Sequence, residues 1–97
     1  MTARSVELKM LDRCVAAAKG ASSEAQNQQE ANVFRLAAMV LGHRFPVECG
    51  NLMAVSNHYF ALHPGEQLPP AEVVNKGWVF GLSRLRDMLS KKLCGSV

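Results

Sequence analysis

The sequence predicts a small all-α domain of four helices, packed as an up-and-down bundle or as a more orthogonal cluster. Three observations predict it. Apolar residues recur at helical spacing in four separate segments. Recognisable breakers stand between those segments: Gly20, then Gly42 with Pro46, then His63-Pro64-Gly65. No segment alternates apolar and polar residues over the length of a strand, and no internal repeat is visible.

The first helix is read from about Ser5 to Lys19. Ser5 can cap it, Glu7 lies in its first turn, and Leu8, Leu11, Val15 and Ala18 form its apolar stripe beside Cys14. Gly20 supplies the left-handed residue that ends it. The second helix is read over 23–41, because Ser23 and Gln26 match an S-x-x-Q capping box. Its opening turns, Gln26 to Glu30, are polar and are expected to be exposed or frayed. The second half, Val33 to Leu41, is apolar on nearly all sides and interrupted only by Arg35. Such a helix is either central to the fold or part of a dimer interface.

The third helix, 46–62, opens on Pro46 in its first turn with Glu48 close behind. Leu52, Val55, Tyr59 and Leu62 form its stripe, and Gly50 is expected to mark a close helix crossing. The loop Pro64 to Pro70 holds three prolines and a glycine, so it should be stiff and extended. The fourth helix is read over 70–93, starting at Pro70 with Glu72 in its first turn. Val74, Trp78, Leu82, Leu85, Leu89 and Leu93 make its core stripe. The expected core is Leu11, Val15, Phe34, Ala37, Leu41, Leu52, Val55, Tyr59, Trp78, Leu82, Leu85 and Leu89.

Ninety-seven residues, 48% of them apolar, suit a single domain (1–97) with one core. The longest apolar run, Leu36 to Leu41, is far below the roughly 20 residues that span a bilayer. The opening segment MTARSVELKMLDRC has no signal-peptide core, so a cytoplasmic address is expected. Cys14, Cys49 and Cys94 agree: they are odd in number, and none forms a CxxC. His58 and His63 are five apart, on different helix faces, so no metal site is expected. The carboxylates are scattered singly and no Gly-rich phosphate loop is present, so neither an enzyme nor a cofactor is expected.

The last segment carries what remains. On a continuous helix, Val73 and Phe80 would point roughly 140–160° away from Trp78, in line with Lys76, Arg84 and Lys91. An apolar pair with a basic rim has the anatomy of a partner-binding surface. Gly77 and Gly81, four apart, would lie on one edge of that helix, where they allow either tight packing within the chain or, as the alternative, a homodimer seam with Met88. The formal charge is +3, and Lys76, Arg84, Arg86, Lys91 and Lys92 face one acid, Asp87, after residue 73. That bias supports an alternative reading as a weak nucleic-acid-binding or transcription-regulatory domain. The Gly42–Phe45 connection has helix-turn-helix length, but the third helix holds no Lys or Arg to grip phosphates.

In size and helical make-up the chain resembles the small helical proteins that bind and silence bacterial regulators, such as quorum-sensing antiactivators, and also small secretion chaperones. Both resemblances imply a non-enzymatic domain that binds a larger cytoplasmic protein stoichiometrically, as inhibitor, adaptor or chaperone. The expected target surface is apolar and edged with acids, and the expected free form is a homodimer.

Overall fold

A computed structural model describes residues 3–79 and 81–94, with side chains from residue 8 onward. Among the described residues the chain forms five α-helices and no strand. These are α1 (Ala3–Ala18), α2 (Gln28–Leu41), α3 (Pro46–Leu62), α4 (Pro70–Asn75) and α5 (Leu82–Cys94), with 3-10 turns at Gly42–Arg44 and Pro64–Glu66. The all-α class read from the sequence holds, with one helix more than expected.

Helix α2 is the centre, packed against α1, α3, α4 and α5. This is why its second half is apolar on nearly every side. Val33, Phe34, Leu36, Ala37, Ala38 and Leu41 are all buried within this chain. This part of the apolar surface expected at a homodimer interface is covered within the chain, apart from Met39, which stays exposed. Helix α3 runs antiparallel to it, since Ser56 meets Ala31, Arg35 meets Met53 and Cys49 meets Ala38.

Helix α1 ends as expected at Gly20, whose φ of 80° is the left-handed conformation that glycine adopts without strain. The Ala21 and Gly20 amides donate back to the Ala16 and Ala17 carbonyls. Asn51 of α3 also donates to the Ala18 carbonyl at 2.8 Å, so α3 helps to cap α1. Behind that end, Cys14 is fully buried, and burial pushes its thiol pKa up to about 12.

The start of α2 corrects the Ser23 reading. The cap is Asn27, whose Oδ1 accepts the Glu30 N–H at 2.9 Å. Residues 22–27 are irregular, and the Glu30 carboxylate and Arg13 help to hold them. The carboxylate accepts the Gln26 N–H and both Nε and Nη2 of Arg13, and Arg13 Nη2 also reaches the Glu24 carbonyl. Glu30, expected at the surface, is buried.

The fourth predicted helix is broken. On one straight helix Val73, Val79 and Leu85 would point about 120° apart, so no single face could bury all three. All three are buried. The chain achieves this by ending α4 at Asn75, turning through Gly77 at φ 75° and restarting at Leu82. The Lys76 and Gly77 amides donate to the Glu72 and Val74 carbonyls, which closes α4.

Other departures follow from the same geometry. Leu82 opens α5 after the break and is exposed, while Trp78 and Val15 are only partly buried. Leu62 overhangs the start of α2, because Ser56 already lies opposite Ala31 and α2 begins at Gln28; it is 67% exposed. Phe60 and Ser56 take the buried places expected of Tyr59 and Leu62. Leu8 of the first stripe is also exposed. Gly50 marks no close crossing, since a Cβ built there meets nothing within 4 Å.

Two substitutions test this packing in opposite directions. Leu85→Ala should lower the unfolding free energy by roughly 2–5 kcal/mol. Gly50→Ala, in an exposed helical position with room for a methyl, should raise it by about 0.5–1 kcal/mol. Denaturant unfolding at fixed pH reads both. Stabilisation by the first or destabilisation by the second would contradict the packing described.

Candidate protein-binding groove

The surface expected on the last helix does not exist in that form. Val73 is 1% exposed, packed among Asn32, Leu36, Leu68 and Pro70, because the segment after α3 folds over it. Phe80 lies outside the described residues. Lys76 is exposed at the end of α4 with its ammonium 5.6 Å from the Trp78 ring, while Arg84 and Lys91 are exposed on α5 beyond the break. Arg84 and Lys91 share a face of α5, but the break separates them from Val73 and Lys76, so no single helix face gathers all four. Gly77 and Gly81 likewise belong to the turn and not to one helical edge, so the seam with Met88 is corrected too. Met88 is half-buried beside Met10, Leu11 and Cys14, in an apolar crevice whose free space is about 10 Å³, room for about one water. On α5, Lys92 lies 3.4 Å from Asp12 and Arg86 lies 3.6 Å from Asp87, which offsets part of the basic bias.

What the fold builds instead is a strap, residues 63–70, laid across α2. The sequence explains its stiffness. Its 3-10 turn opens on Pro64, and the following residues are extended, with Gln67 at φ −73°, ψ 128° and Pro69 at φ −62°, ψ 152°. Buried Asn32 fastens it. Asn32 Nδ2 donates to the Glu66 carbonyl at 3.1 Å and to the Gln28 carbonyl at 3.0 Å, while its Oδ1 accepts the Leu68 N–H at 2.9 Å. Gln28 Nε2 donates to the same Glu66 carbonyl.

A second fastening holds the Glu66 side chain. The Tyr59 hydroxyl donates to Glu66 Oε1, and His63 Nδ1 lies 3.7 Å from Oε2 with its ring stacked 4.5 Å from that of Tyr59. The bond to the carboxylate raises the Tyr59 pKa above its ordinary value, with burial and the Glu66 charge adding to it.

Between the strap and α2 lies an open groove of about 470 Å³, lined by Arg35 and Met39 of α2 and by Pro64, Gln67, Leu68, Pro69 and Pro70. Arg35 and Met39 are four apart and share a helix face, and Met39 is 51% exposed. The Arg35 guanidinium is half-buried and its Nη1 points to the Met53 sulfur at 3.8 Å; among the described residues no carboxylate lies within ion-pair distance of it. Sequence reasoning missed this site, although Arg35 was the one charge inside the apolar run. No three histidine, cysteine or acidic side chains converge as a metal site among the described residues. No helix there is long and apolar enough to cross a membrane.

Asn32→Ala removes the partner of the part-buried Leu68 N–H and leaves the Glu66 carbonyl to Gln28 alone, and should destabilise the domain by about 1–3 kcal/mol. It should also release the strap, so that amide hydrogen exchange at Leu68 accelerates beyond what the loss of global stability accounts for. Unchanged protection at Leu68 would contradict the role given to Asn32. No protein-family model matches this chain, and comparison with curated proteins and with solved structures finds no match either.

Proposed function

We propose that this domain binds a larger protein stoichiometrically, masking or escorting it in the manner of an antiactivator, adaptor or chaperone, and catalyses nothing. The observation that carries the reading is the groove beside Met39. It pairs an exposed thioether and proline-rich wall with a cation, on a backbone held rigid by Asn32. Exposed methionine is well suited to such contacts, because its unbranched, polarisable side chain adapts to the surface it meets. A stiff strap loses little conformational freedom on binding, which favours affinity. The three free thiols support a reducing compartment, and we place the domain in the cytoplasm.

The test is affinity capture from the native cell extract with the wild-type chain and with Met39→Glu, each first shown to be folded by far-UV circular dichroism. The wild type should retain a partner that purifies with it in equimolar amount. Met39→Glu should weaken the purified complex about tenfold or more in Kd. Equal affinity for both chains would remove the groove from the binding surface.

A further inference from the structure

We infer that the groove takes a short acidic–apolar segment of the partner, seating a Leu-, Met- or Phe-type side chain against Met39 and the strap and a carboxylate on Arg35. This rests on the protein-binding reading above and names the chemistry of its ligand.

Charge decides the class. Among the described residues, Arg35 supplies the one ionisable side chain in the groove lining. The nearest acid in the strap, Glu66, is occupied by Tyr59 and His63, and Glu72 on α4 is exposed but not part of the lining. A guanidinium offers a planar fork of N–H donors that matches a carboxylate, and a thioether sulfur at 3.8 Å satisfies it poorly. The groove is open to solvent, so the attraction for a carboxylate rests on this fork geometry and not on burial of the pair.

The strap's backbone argues the same way. Pro64, Pro69 and Pro70 have no N–H, and the Leu68 N–H is already given to Asn32. The Glu66 carbonyl is taken by Gln28 and Asn32, and the Pro69 carbonyl by the Glu72 and Val73 amides. A ligand therefore finds few main-chain partners along this wall, and recognition falls to side chains: apolar contact with Met39 and Leu68, and ion pairing with Arg35. A basic segment would place like charge on an Arg that has no carboxylate beside it among the described residues.

A random dodecapeptide display library, selected on the immobilised wild-type chain, tests the assignment. Selected sequences are resynthesised with a fluorescent label. Their Kd is measured on wild type, Arg35→Gln, Arg35→Lys and Met39→Glu, and ¹H–¹⁵N spectra map where they bind. We expect a consensus of Asp or Glu beside Leu, Met or Phe, with amide shifts confined to α2 and the strap. Converting the peptide's acid to its amide should weaken binding about tenfold on wild type and have no further effect on Arg35→Gln. Arg35→Lys, which keeps the charge and guards against misfolding of the Gln variant, should bind between the two. Peptides that map to the groove but are basic, or indifferent to loss of their acid, overturn the acidic class while leaving the protein-binding reading intact. Peptides that map elsewhere and ignore Met39→Glu, or a selection that yields none, overturn the groove itself.

Discussion

The structure turns on a carboxylate inside the fold. Glu30 is 5% exposed, although it lies in the first turn of the central helix. Arg13 makes that position tolerable by meeting both of its oxygens, at 2.9 and 3.0 Å, from one turn inside α1. The same bond raises the arginine's pKa above its ordinary value, so Arg13 stays protonated. A buried carboxylate with its partner removed costs far more than an apolar side chain would. The pair ties α1 to the first turn of α2 and reaches the irregular segment between them through Glu24 and Gln26.

The rest of α2 repeats that logic with neutral groups. Asn32 addresses the strap, and the Ala31 carbonyl accepts the Ser56 hydroxyl of α3 at 2.8 Å. Apolar packing alone would tolerate several rotations of a helix that is covered on all sides. Polar groups that pay their desolvation cost only in one arrangement remove that freedom. Thus Glu30, Ala31 and Asn32, three consecutive residues, tie α2 to α1, α3 and the strap respectively.

Much of this was legible from the sequence, and the rest was hidden for identifiable reasons. The all-α class, the proline start of α3 and the Gly20 stop all follow from local signals that tertiary packing did not override, and the central place of α2 was one of the two its apolar half allowed. The start of α2 was misread because S-x-x-Q and N-x-x-E capping patterns overlap within 23–30, and only Arg13, from another helix, decides between them. The last helix was misread because its periodicity accommodates Leu85 and Leu89 but says nothing about where Val73 and Val79 must go. The groove stayed out of sight because half of it is loop, which carries no period. Its helical half shows up in sequence only as Arg35 and Met39, a charge in an apolar run and a methionine four residues on.

The packing of α1 against α5 also sets an order of events in the cell. Lys92 and Asp12, eighty residues apart, meet across that contact. The ion pair itself is exposed and contributes little. The apolar face beneath it matters more, because Leu11 and Cys14 of α1 share a crevice with Leu85 and Met88 of α5. A ribosome delivers α1 long before α5, and until α5 emerges that face has no cover. Helices α2 and α3 can close part of it, but the domain cannot reach its final packing from its first two-thirds alone. Folding of this domain is therefore completed only after α5 has been made, and truncation within α5 would leave the α1 face exposed.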